Sequence, residues 1–184
     1  MRWLYMVRPM SIRHLLPALL LATLAHAEDP ATFPVGALTF TRPADWKWVA
    51  VTSPMRKAQL QVPGAAADQA ADVTFFFFGE TNGGGVDANV QRWLKQFDAK
   101  EGAGKTSEEQ LAGLKVHLVS TEGTFSSGMP GGPTTPQANY ALLGAIIEHP
   151  EGFVFVKMTG PAATVTAARE KFLELLKTVT VAKK

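Results

Sequence analysis

Three segments of strand length constrain this chain more than any other feature: 73–78 (Val-Thr-Phe-Phe-Phe-Phe), 140–148 and 153–159 are apolar at both parities. A strand that is apolar on both faces needs cover on both faces, so each belongs inside a sheet rather than at its edge. The segment 55–63 alternates instead. Ala58, Leu60 and Val62 point one way and Lys57, Gln59 and Gln61 the other, the pattern of a half-buried strand.

Shorter strands are expected at 38–41 and 46–51, on either side of the turn Arg42-Pro43-Ala44-Asp45, and a longer one at 114–122. The turn His149-Pro150-Glu151-Gly152 joins two of the doubly apolar segments and suits an antiparallel hairpin. Helical spacing relates Val90, Trp93, Leu94 and Phe97 behind a capping Asp87, and again Val165, Ala168, Phe172, Leu175, Leu176 and Val179 behind Pro161. Residues 99–113 read as loop with a short helix over Ser107–Leu111, and 123–137 as a Gly/Pro-rich loop. The expected fold is α+β: an antiparallel sheet of about six strands, covered by helices on both faces as an α/β/α sandwich. It forms one domain over 38–181, preceded by a flexible stretch over 28–37.

The first 27 residues read as a cleaved signal peptide. Arg2, Arg8 and Arg13 precede an apolar core from Leu15 to Leu24, and Ala25-His26-Ala27 gives the small-x-small cleavage pattern. Met10 opens a tidier signal than Met1 and is a candidate start. The apolar core is too short for a membrane-spanning helix, which takes about 20 residues, so no membrane anchor is expected after cleavage. The reading is an exported protein, periplasmic or extracellular.

Removing the leader changes the charge argument. The chain has 18 Lys plus Arg against 16 Asp plus Glu, and the leader holds three arginines and no acid, leaving 15 basic residues against 16 acidic. A near-neutral remainder lacks the basic stripe of a nucleic-acid binder. There is no cysteine, which excludes lipidation at a cysteine and leaves stability to the core alone. The 157 residues after the leader, 184 less 27, suffice for this; folding at that size buries roughly 68–70% of the unfolded surface.

A signal, then Phe40-x-x-Pro43-x-x-Trp46, a strand-rich middle, a late hairpin and a terminal amphipathic helix ending in Thr178-Val179-Thr180-Val181 resemble the Mog1/PsbP-like superfamily over about 36–181. The resemblance implies an α/β/α sandwich used as a binding or assembly module, with photosystem-associated and Ran-associated members. The interaction residues of those members have no counterparts here.

No catalytic constellation emerges. Ala99-Lys100-Glu101-Gly102-Ala103-Gly104-Lys105-Thr106 imitates a phosphate loop, but it follows a helix instead of leaving a buried strand. Asn82-Gly83-Gly84-Gly85 could turn its amides toward an anion, though Asp87 would compete at the same helix start. Beyond the leader only His117 and His149 offer imidazoles, and neither serine of 123–128 has the glycine of a nucleophile elbow two residues before it. Glu108-Glu109 and the pair Glu148 and Glu151 lack the spacing of two carboxylates across a substrate. No metal and no cofactor are expected.

The favoured reading is a non-enzymatic binding module for an unknown protein or envelope component. Its interaction surface is assigned to Arg56, Lys57, Met129, Pro130 and Pro133. The alternative is a small-molecule carrier or weak hydrolase with a pocket between sheet and helix, using Trp46, Trp48 or His117.

Overall fold

A computed structural model describes residues 29–126 and 135–181. The leader at 1–27 and three of the expected interaction residues, Met129, Pro130 and Pro133, lie outside the described residues.

The first elements are β1 (Thr32–Val35), β2 (Leu38–Thr41), β3 (Lys47–Trp48), β4 (Arg56–Val62) and β5 (Ala71–Phe77). Two helices, α1 (Gly79–Asn82) and the longer α2 (Val86–Leu94), lead to β6 (Phe97–Asp98), β7 (Lys105–Leu111), β8 (Leu114–Phe125), β9 (Gln137–Ile147) and β10 (Val154–Pro161). The chain closes with α3 (Ala162–Ala167), α4 (Arg169–Lys177) and β11 (Thr180–Val181).

Eight strands form the main sheet in the order β3-β4-β5-β10-β9-β8-β6, with β7 also paired to β8, and β1-β2-β11 form a small second sheet. Every pairing among the described residues is antiparallel. The doubly apolar segments are β5, β9 and β10, which lie side by side in the middle as expected. The sheet is larger than the six strands expected, because β6 and β7 add to β8.

Three sequence expectations are corrected. The short helix over Ser107–Leu111 is strand β7, in register with β8 from Lys105 opposite Ser120 to Leu111 opposite Leu114. The stretch expected to be flexible contains β1, whose Phe33 and Val35 are buried. Arg42 fixes what precedes it: Nε donates to the Pro30 carbonyl at 3.0 Å and Nη1 to that of Trp46 at 2.5 Å. Asp87 lies in the first turn of α2 while Gly85 occupies the cap position, and Phe97 leaves the helix to join β6.

The sheet separates two apolar clusters. Alternate residues of β5, β9 and β10, such as Phe75, Leu143 and Val156, pack with Phe40, Val165, Phe172, Leu175 and Leu176 on the face under α3, α4 and the small sheet. The opposite parity, Leu142, Ile146 and Phe155, packs with Val90, Trp93 and Phe97. On this second face the only cover among the described residues that comes from a longer helix is α2, nine residues long. Its position decides where the sheet stays open.

Candidate functional site

Register locates the opening. Gln59 of β4 stands opposite Thr74 of β5, Thr74 opposite Lys157 of β10, and Lys157 opposite Gly144 of β9, so these four share the face that carries α2. Trp93 of α2 lies directly over Gly144, where an added Cβ would come within 2.5 Å of the indole. The helix therefore sits on the β8–β9 side. Among the described residues no helix covers the β4–β5–β10 side, and there the apolar alternation gives way to Gln59, Asp72, Thr74, Lys157 and Thr159.

Asp72, Thr74, Lys157 and Thr159 line a groove of about 390 Å³, walled by Phe76 and Arg56 on one side and by Phe125, Tyr140 and Gln137 on the other. The Phe125 and Tyr140 rings are parallel within 1°, with centroids 6.0 Å apart. Arg56 Nη1 donates to Gln59 Oε1 at 2.6 Å, Gln59 Nε2 to Asp72 Oδ1 at 3.3 Å, and Thr74 Oγ1 to the Lys157 carbonyl at 3.3 Å. Thr159 Oγ1 is buried with no hydrogen-bond partner.

Lys157 is the unusual group. It is a partly buried lysine on a central strand, and its Nζ donates to Gln96 Oε1 and lies 5.3 Å from the Phe125 ring centroid. Burial, and then the nearby Arg92 charge, push its pKa down to about 8. Among the described residues Lys157, Arg92 and Arg56 form no ion pair; the charged side chains that do are elsewhere. A desolvated cation without a paired counter-charge is costly, and the lining keeps two cations, Arg56 and Lys157, against the single carboxylate of Asp72.

Of the expected interaction residues, Arg56 lines this groove. Lys57 is the extra residue of a bulge between Arg56 and Ala58; it is exposed and does not line the groove. Lys157, Asp72, Thr74, Thr159 and Tyr140 were not singled out from the sequence. The available signal was parity, since Lys157 and Thr159 share one face of an otherwise apolar strand.

The residues of the alternative reading are not brought together. Trp46 is 1% exposed in the core under α3 and α4, beside a hollow of about 260 Å³. Trp48 packs against Phe33 at 5.3 Å, so the two indoles form no exposed platform. His117 lies on the opposite face of the sheet, across from Ile146. Its Nε2 meets Glu148 Oε1 at 2.6 Å and its Nδ1 meets Glu108 Oε1 at 3.2 Å, while Lys115 bridges the same two carboxylates at 3.3 and 3.6 Å. Both ring nitrogens are thus engaged by carboxylates on opposite sides of the ring, an arrangement that ties β7, β8 and β9 together. His149 Nδ1 accepts from the Glu151 amide within its turn.

The His117 hydrogen bond, together with Lys115, holds the Glu148 carboxyl below its ordinary 4.5. A depressed carboxylate contributes stability above its unfolded pKa and loses it as pH falls through the folded one. Because Glu148 is about a third exposed, screening limits the effect. Glu148→Gln is expected to cost less than about 1 kcal/mol at pH 7, with the difference shrinking as pH falls from 4.5 through the lowered folded value. Urea denaturation at pH 7 and in a series downward from pH 4.5 checks this.

The other candidate loops are resolved by their surroundings. Lys105 opens strand β7, so the segment 99–106 does not lead into a helix. In the Gly83–Gly85 turn, buried Asn89 donates Nδ2 to the carbonyls of Gly83 and Gly85, both at 2.8 Å, which makes the turn a braced hinge. Among the described residues no helix is long and apolar enough to cross a membrane.

No protein-family model matches this chain, and no curated protein matches it in sequence. Among solved structures it is similar to the solution structure of cyanobacterial PsbP (CyanoP) from Synechocystis. The identity is 10%, the alignment covers 88% of this chain and 99% of that one, and the TM-score is 0.52. A Pseudomonas aeruginosa protein of unknown function aligns at 12% identity over 83% of this chain and 97% of its own, with a TM-score of 0.47. At such identities the likeness is one of fold, and the strand-rich α+β fold of this chain is PsbP-like.

Proposed function

We propose that this chain is an exported, non-enzymatic binding module whose ligand seat is the groove around Lys157. The observation that carries this reading is a lysine held on a central strand, with no ion-pair partner among the described residues, at a polar opening of the sheet face that carries α2. Structural need does not account for it, since an apolar side chain there would remove the desolvation cost. The volume suits a small molecule or a single protruding group of a partner, which keeps a carrier role within the same site. A non-enzymatic role is supported by the two imidazoles, which are engaged with carboxylates and a turn amide and not with a hydroxyl nucleophile. Export rests on the leader.

Hydrogen exchange of the full chain, with and without a detergent extract of its host's envelope, tests the site. Slower exchange is expected at the groove rim, residues 70–72 and 137–140. Protection confined to β7 or to the small sheet, or none at all, would remove the groove as the seat. For export, sequencing the N-terminus of the protein recovered from its host should begin at Glu28; an intact leader on all recovered protein would refute it.

A further inference from the structure

Taking the groove as the ligand seat, we infer that it selects a carboxylate carried on a flat apolar body, the carboxylate against the Lys157 ammonium and the body along the Phe125–Tyr140 wall. An ammonium has three donors. At Lys157 one goes to Gln96 and the Phe125 ring faces the head, and the side chain still lines the groove. Arg56 at the rim and the nearby Arg92 of α2 add positive charge that no carboxylate pairs among the described residues. The one acid in the lining, Asp72, is tied to Gln59 on the β4 side.

The rest of the lining sets the shape of the ligand. Phe125 and Tyr140 stack on each other in one wall, with the Lys157 ammonium over the Phe125 ring, and Phe76 stands on the other, so an apolar body beside the ammonium meets aromatic carbon on both sides. A phosphate would be served better by a fork of several donors converging on three oxygens. Here the Arg56 guanidinium is turned to Gln59 and the Lys157 ammonium sits beside aromatic carbon, which suits one carboxylate on a ring.

Benzoate, benzamide and inorganic phosphate are the probes, each titrated into the isotope-labelled full chain and followed by backbone amide shifts and by the Lys157 Cε signal. Benzoate is expected to bind with a dissociation constant of about 1 mM or tighter. It should shift residues 70–76 and 137–140 and raise the Lys157 titration midpoint. Benzamide should bind at least tenfold more weakly and phosphate should not displace benzoate. Lys157→Met should lose benzoate, and the rise in the wild-type Lys157 midpoint is a second readout should that variant fold poorly. Equal binding of benzoate and benzamide, or displacement by phosphate, would overturn the carboxylate selection. Groove protection by the envelope extract with no response to any probe would overturn it as well, while leaving the groove as the binding seat.

Discussion

Lys157→Met gives a folded chain that is about 3 kcal/mol more stable than the parent at pH 7, and the difference closes as pH rises from 8 toward 10.5. The argument runs from the groove outward. In the parent, burial and Arg92 lower the Lys157 pKa from 10.5 to about 8. Below that value the lysine is charged in both folded and unfolded chains, and the folded state bears the whole desolvation penalty. Between 8 and 10.5 the folded chain has released the proton and the unfolded chain still holds it, so stability rises with pH. Methionine has a similar reach and no charge, so it removes both the penalty and the pH dependence. Lys115 and Lys177 are shifted the opposite way, upward, by their glutamate partners. Their contributions are lost only above 10.5, and they are common to both proteins. The difference between two urea-denaturation series, run from pH 6 to pH 10, therefore isolates position 157. A variant less stable than the parent at pH 7 would mean that the lysine is a structural asset, and the functional reading of the groove would lose its main support.

That lysine also marks where sequence reading stops. The middle of the sheet was legible because burial on both faces leaves no polar parity, and β5, β9 and β10 are the adjacent strands that this pattern demands. The alternation in β4 and the helical stripe from Val165 to Leu176 were legible for the same reason, since one period matches one buried face. Strand β7 was not. Its residues Lys-Thr-Ser-Glu-Glu-Gln-Leu are polar at nearly every position and include good helix formers, so neither period is visible. What makes it a strand is a two-residue hairpin to β8 through Ala112 and Gly113, with φ of 51° and 77°. That turn takes positive φ at both central residues, which Asn-Gly announces and Ala-Gly does not. Strand β1 is a related case, joined to β2 through Gly36 at φ 60° and held from its start by Arg42, whose Nε donates to the Pro30 carbonyl. The groove was the least legible of all. Thr74 and Gln59 are ordinary polar residues until the register lines them up with Lys157 on the side of the sheet that α2 does not reach.

The seat of α2 supplies the second large effect: Gly144→Ala should destabilise the chain by about 2 kcal/mol, although alanine is the smallest possible enlargement. Glycine inside a central strand is unfavourable on its own account, so its place must be set by what packs there. The indole of Trp93 occupies that space; a Cβ on residue 144 would lie 2.5 Å from its Cζ3 and 2.8 Å from its Cε3. The ring cannot simply slide away, being 6% exposed and set edge-on to Phe155 at 6.4 Å. The added methyl therefore lifts α2 from the sheet. Trp93→Leu alone should cost about 3 kcal/mol by leaving a cavity over Gly144. In the double variant the methyl occupies part of that cavity, so the combined loss should fall short of the sum of the single losses by at least about 1 kcal/mol. Strict additivity would show that the two positions do not share the space. The same substitution reaches the groove, because Gln96, which holds the Lys157 ammonium, follows directly on α2. Gly144→Ala should thus weaken benzoate binding without altering a single lining residue, whereas Glu148→Gln, which loosens only the β7–β8–β9 end of the sheet, should leave that binding unchanged.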